Sequence, residues 1–366
     1  MAADRLDRLR LIRSRRVGAV TYHRLLAEHG SAAAALAALP AIAQAAGVNG
    51  YGVCPVEVAQ AELSAGRAVG AVALFHGDPG YPAALADLSD APAILWAQGD
   101  VSLLTRPMVA MVGARNASSL GLRMARRLAE GLGQAGYAVV SGLARGIDAA
   151  AHQSALPTGT IAVQAGGADV IYPEENAGLA EEIRLQGLRL SEHPMGTQPQ
   201  TRHFPMRNRI ISGLSRAVIV VEAAARSGSL ITARNAADQG RDVMAVPGHP
   251  FDARASGCNM LLRDGATLIR SAADVLEALG TPTPRAAPEE YVQHDPLPGP
   301  ITPARSLAEA TDLHNRILQR LGPSPLAEDQ LIRDLAMPPA HLASALLTLE
   351  LDGQIQRQPG GLLSRA

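Results

Sequence analysis

Between residues 71 and 279 short β-rich apolar runs alternate with amphipathic segments, and this alternation restricts the fold more than any other feature of the chain. The runs at 71–75, 107–113, 138–141, 160–164, 189–191, 217–222, 242–246 and 267–269 read as strands, with helical patterns at 121–133, 148–156, 179–186 and 231–239 between them. Strands that are apolar on both faces and separated by helices make a parallel sheet covered on both sides. The expected class is therefore α/β, a doubly wound and mostly parallel sheet. Ligands of such sheets bind where strand C-termini meet helix N-termini.

Smaller domains flank this region. Leu6, Leu9, Ile12, Tyr22, Leu25 and Leu26 fall at helical spacing, and an Ala/Leu-rich stretch follows, broken by Pro40, Gly47 and Gly50. Residues 1–70 are thus expected to form a small helical bundle, and 71–280 the central domain. The Pro-rich, aperiodic stretch at 281–305 reads as a semi-rigid linker. Helical patterns at 311–321, 326–335 and 339–351, followed by two short strands around Pro359, Gly360 and Gly361, predict a winged helix over 306–366. With Glu328, Asp329, Asp334, Glu350 and Asp352 it is not basic, which favours contact with protein over DNA.

Composition excludes several functions. A formal net charge of -1 rules out a uniformly basic nucleic-acid coat but leaves local patches open. All 33 basic residues are arginine, so P-loop phosphate binding and Schiff-base chemistry, which need an amine, are excluded. Cys54 and Cys258 stand far apart without a CxxC, suggesting neither a disulfide framework nor a zinc knuckle. The N-terminal segment is charged and lacks an apolar core, and no run is long enough to span a bilayer. A cytoplasmic protein without membrane contact is expected.

The stretch VGARNASSLG at 112–121 runs from a strand through a glycine turn into a helix. A dinucleotide fingerprint, G-x-G-x-x-G, needs its second glycine for the pyrophosphate and its third for helix packing. Here Gly113 is followed by Arg115 and Ser118 at those places, which suits a forked contact with an external phosphate, while Asn116, Ser118 and Ser119 can cap the next helix. Gly142, Arg145 and Gly146 form a second such loop, and Gly166 with Gly167 a third. The fourth, read as a loop preceding a strand, carries Arg202, Phe204, Arg207, Asn208 and Arg209. Arginines interleaved with an aromatic ring, in a chain with 3% aromatic residues, suit single-stranded nucleic acid. Arg207 or Arg209 could instead pair with an internal carboxylate such as Glu222.

Catalytic readings are weaker. Ser141, Asp148 and His152 superficially offer a hydrolytic set, but no G-x-S-x-G elbow accompanies them. His152, His193, His203 and His249 lack metal-ligand spacing and read as local hydrogen-bonding residues, so no metal and no cofactor is expected.

YPAAL at 81–85, VGARNASSLG, SGLARGIDAAAH, IYPEEN at 171–176, FPMRNRIISGLS, VVEAAARSGSLITARNAADQGRDVMAVPG and SGCNMLLRDGA resemble, in order, the motifs of the DNA-processing protein A (DprA/Smf) family, over residues 71–273. The resemblance implies an extended Rossmann-like, DNA-binding sheet domain behind a helical domain of the sterile-alpha-motif or helix-hairpin-helix kind, in a family with no established catalytic activity. It implies binding and protection of single-stranded DNA during natural transformation, help in loading the RecA recombinase, and dimerisation through the Rossmann-type domain. Arg115, Ser118, Gly142, Arg145, Phe204, Arg207 and Asn208 lie in the matching motifs and inherit DNA-contact roles. A lysine common in the family ahead of F-x-x-R-N-R is absent, and Arg202 is its expected substitute. Ala114 and Leu120 stand where the family often has serine and tyrosine. The competing reading is a Rossmann-like enzyme that hydrolyses nucleoside monophosphates, and a further one is an adaptor acting through the winged helix.

Overall fold

The structure, a computed structural model, describes residues 2–281, 307–321, 326–335, 337, 342, 345–346, 348–350, 353–358 and 362–365. By contact the chain divides into two units, Met1–Gln60 with Pro288–Ala366, and Ala61–Ala287.

The N-terminal region holds α1 (Ala2–Arg13), α2 (Ala19–His29), α3 (Ala32–Ala45) and α4 (Val56–Ala68). Proline is expected to break the Ala/Leu-rich stretch, but α3 continues through Pro40. Pro40 is exposed, and burial of Leu36, Leu39 and Ala43 around it offsets the missing backbone bond. The division between units falls within α4, whose C-terminal half lies on the sheet. A Cβ at Gly66 would stand 2.2 Å from the Trp96 ring, whose Nε1 donates to Glu62 at 3.0 Å.

The second unit continues with β1 (Val72–Phe75), α5 (Ala83–Ala86), β2 (Ile94–Gly99), β3 (Met108–Val112), α6 (Ser119–Gln134), β4 (Ala138–Ser141), α7 (Ile147–Ala155), β5 (Thr160–Val163), α8 (Ala177–Gln186), β6 (Leu188–Ser191), α9 (His203–Leu214), β7 (Ala217–Val220), α10 (Ser229–Asp238), β8 (Asp242–Ala245), α11 (Ser256–Arg263), β9 (Thr267–Leu268) and α12 (Ala272–Leu279). The strands order as β1-β2-β6-β5-β4-β3-β7-β8-β9. The pairs β1–β2 and β2–β6 are antiparallel and all others parallel. This is the doubly wound, mostly parallel sheet expected.

The residues of β3 show why it must be covered on both sides. Met108, Ala110 and Val112 join a core with Ile210, Ile211 and Leu214 of α9, whereas Val109 and Met111 join another with Leu128 and Leu132 of α6 and Ile147 of α7. Each fully buried Leu or Ile contributes about 1.5–3 kcal/mol. Two differences from the sequence reading matter. The antiparallel β2 enters between β1 and β6 and is preceded only by the four-residue α5, too short to show a helical period, so strand-helix alternation does not reveal it. And the arginine-bearing run at 201–209 is mostly helix, the start of α9, because Pro205 falls in its first turn, where it lacks no bond.

The C-terminal region contains α13 (Leu307–Arg320), β10 (Leu326–Ala327), α14 (Glu328–Leu335), β11 (Ile355–Gln358) and β12 (Leu362–Arg365), with the strands in the order β10-β12-β11. Residues 342, 345–346 and 348–350 of the expected third helix are helical. The rest of that helix, the turn at 359–361 and the linker beyond residue 281 lie outside the described residues. Three helical segments and a three-stranded sheet make the expected winged helix. Within this unit Arg24 of α2 bridges Glu328 and Glu350, each at 3.2 Å.

Candidate functional site

Because β3 to β6 run parallel, their C-termini lie on one edge, and α9 begins there. The loop after β3 is tied to its neighbours by backbone. Ala114 N donates to Glu222 O at 2.7 Å and Ile147 N to Ala114 O at 3.2 Å. A Cβ at Gly113 would meet Ile147 at 2.6 Å, and Gly146, at φ +77°, would place one 2.2 Å from Ala114 O. These glycines let loops approach each other. Gly166 and Gly167 do the same against Thr197 O and Pro194 O, each 2.6 Å from a Cβ built there.

Gly142 serves a side chain. Arg207, on the first turns of α9, is buried and donates through Nη1 to Gly142 O at 2.5 Å and Val163 O at 2.7 Å. Its Nε is buried with no hydrogen-bond partner. Burial lowers the guanidinium pKa to about 10, with the Asp148 carboxylate opposing that shift and Arg115 adding to it. Asp148, itself buried, accepts from Gly142 N at 3.1 Å and Ala144 N at 3.4 Å. Burial raises its pKa, and Arg207 opposes the rise.

Above this lies a cleft of about 300 Å³ lined by Arg115, Gly142, Arg145, Tyr172, Phe204 and Arg207 among others. Three of these residues meet at the Phe204 ring. Arg115 stands over it with Cζ 5.2 Å from the centroid, Arg207 at 6.0 Å, and Tyr172 is tilted against it at 5.6 Å. Arg145 pairs with Glu175 at 2.9 Å, but both are more than half or about half exposed, so the pair is weak and open to exchange. Asn116 and Asn208 line an adjoining cleft of about 640 Å³ that shares Arg115, Phe204 and Arg207.

The remaining candidates are placed differently. Ser118 caps α6, accepting from Gly121 N at 3.0 Å, and its N–H and hydroxyl both donate to Glu222. Glu222 is therefore the partner of Ser118 and not of Arg207 or Arg209, and Ser118 lines neither of these two clefts but a separate cavity of about 800 Å³ with Arg123, Arg127 and Arg270. Arg209 points away to Glu192 at 2.5 Å and Asp90 at 3.7 Å. Ser119 and Arg202 are exposed. Sequence reasoning misses Tyr172 as a site residue; its signal is an aromatic in the loop after a strand, in a chain poor in aromatics.

Ser141, Asp148 and His152 make no relay. Ser141 Oγ donates to Met111 O at 2.6 Å, and His152 bonds Thr160 Oγ1 at 2.7 Å and Leu143 N at 3.3 Å. His203 accepts from Gln200 N at 3.3 Å, and its ring stacks on His193 at 4.4 Å, while His249 accepts from Phe251 N.

Fold and site together define a Rossmann-type protein whose loops carry guanidinium groups and an aromatic pair in place of a dinucleotide fingerprint. The family model described as "DNA recombination-mediator protein A" matches residues 72–280, flanked by a DprA-like N-terminal HHH domain at 2–65 and a DprA winged helix domain at 301–361. The chain belongs to this DprA/Smf family. It is 38% identical to protein Smf of Escherichia coli over 291 residues, covering 77% of this chain and 74% of that one. It resembles the X-ray structure of DNA processing protein A from Streptococcus pneumoniae with a TM-score of 0.61 at 36% identity, over 74% of this chain and 95% of that one. A Helicobacter pylori DprA, described for its single-stranded DNA binding mode, matches with a TM-score of 0.53 at 33% identity, over 57% of this chain and 95% of that one.

Proposed function

We propose that this protein binds single-stranded DNA, without catalysing a reaction on it, along the strand C-terminal edge of its Rossmann-like sheet. The observation that carries this is the Phe204 ring with the Arg115 and Arg207 guanidiniums within about 6 Å of its centroid and Tyr172 tilted against it, beside a buried Arg207 Nε with no partner. A base can stack on the aromatic pair while guanidiniums meet the flanking phosphates. The cleft is open and arginine-bearing, which fits a chain of phosphates better than one small anion. The relatives point the same way, since the Helicobacter pylori protein is described as binding single-stranded DNA. We carry over from the family protection of incoming DNA in natural transformation, delivery to the RecA recombinase, homodimerisation through the Rossmann-like domain, and a cytoplasmic location. Among the described residues no single helix is long and apolar enough to cross a membrane.

Of the residues named from the sequence, this reading keeps Arg115, Asn116, Gly142, Arg145, Phe204, Arg207 and Asn208 at the strand and treats Ser118 and Arg209 as structural. Arg115→Ala should weaken oligothymidine binding and flatten its salt dependence by about 0.7 in log-log slope for each phosphate left without its guanidinium. Phe204→Ala should remove about 1–3 kcal/mol and leave that slope unchanged, because stacking releases no counterion. Anisotropy titrations at several salt concentrations measure both. An unchanged affinity and slope for Arg115→Ala would take that residue out of the interface.

A further inference from the structure

The chain contains three phenylalanines, and their placement is uneven. Phe75 is core at 1% exposure, Phe204 sits in the cleft described above, and Phe251 is 94% exposed. Phe251 lies in the loop that leaves β8 and ends at Arg254. That loop emerges at the same edge as Arg115, two strands along in the order β3-β7-β8, or about 10 Å at the usual strand spacing.

The cleft beside Phe204 is lined by Arg115, Phe204 and Asn208 and also by Arg226 and Arg254, and Arg254 is three positions beyond Phe251. Phe251 stands outside that lining, and His249 lines a separate cavity of about 800 Å³ that also carries Arg123, Arg127 and Arg270. Arg226 forms no ion pair among the described residues, whereas Arg254 holds the exposed Asp252 carboxylate at 3.1 Å and neutralises it. His249 lies against Phe251 with ring centroids 5.6 Å apart. A stacking surface flanked by guanidiniums is the same combination that the first cleft presents.

We propose that Phe251, with His249 beside it, is a second base-stacking station for the same single strand, reached from Phe204 across Arg226 and Arg254. The inference rests on the binding reading above and adds the direction of the strand, from β4 across β3 and β7 towards β8. It also gives a role to an exposed phenylalanine that no core contact requires. The guanidiniums that line the clefts on either side of this loop, Arg115 and Arg226 in one and Arg123 and Arg127 in the other, select a polyanionic strand over a protein surface as the occupant.

The test compares oligothymidines of about 4 and about 16 nucleotides, the ends of the usual site-size range for single-strand binders. Phe251→Ala is expected to leave the short oligomer's affinity unchanged and to weaken the long one by between about fivefold and a hundredfold, with Phe251→Trp restoring it. Phe204→Ala should weaken both lengths. If Phe251→Ala alters neither length while Phe204→Ala weakens both, the second station is overturned and the first stands. If the unaltered protein binds neither oligomer, the binding reading and this extension of it both fail. Because Phe251 is almost fully exposed, its replacement leaves the fold in place, which circular dichroism of the variant verifies.

Discussion

At position 142 only glycine leaves room for the Arg207 guanidinium, since a Cβ there would stand 2.1 Å from Nη1. The backbone at 142 does not need positive φ, so an alanine would disturb the arginine and not the chain. Displacing a buried guanidinium from Gly142 O and Val163 O leaves acceptors unsatisfied, at about 1–3 kcal/mol. Gly142→Ala should therefore lower urea stability by that amount and weaken oligonucleotide binding as well; full stability would mean Arg207 finds other acceptors. The residue types at this site were legible in the sequence, but their directions were not. Arg207 and Arg209 are two apart, and on a helix that is about 200° of rotation. One enters the cleft and the other turns to Glu192 and Asp90, a distinction lost when 201–209 is read as a loop.

Among the elements, α7 holds its place through a neutral histidine. His152 Nε2 accepts from Leu143 N, so Nδ1 carries the hydrogen and donates to Thr160 Oγ1, whose own hydroxyl donates to Val139 O at 2.9 Å. Burial first, and then the Arg207 charge, lower its pKa to about 3. In the unfolded chain it titrates near 6.5. As pH falls below that value only the unfolded state takes up the proton, so stability is lost on acidification by up to about 1.4 kcal/mol per pH unit. Between pH 6.5 and 5 wild type should lose about 1.6 kcal/mol more than His152→Gln in urea titrations. Parallel losses would show that folded His152 protonates normally. Periodicity located α7 well, because its pattern is amphipathic, and located β2 not at all, because an antiparallel strand inserted between β1 and β6 after only a four-residue helix breaks the alternation on which the reading depends.

For the whole molecule, the order helical domain, Rossmann-like sheet and winged helix was legible, since each part has its own periodicity. The clasp of Arg24 on Glu328 and Glu350 was not, because nothing local links charges more than 300 positions apart. Burial raises the Glu350 pKa, with Arg24 acting against the rise and Glu328 with it. The central claim concerns what the sheet edge holds: an extended strand, or a mononucleotide in a closed pocket. Titrating the full chain with labelled oligothymidine and, separately, with AMP decides between them. Salt-sensitive binding of the oligomer with no uptake of AMP is the predicted result; uptake of AMP without oligomer binding would contradict it.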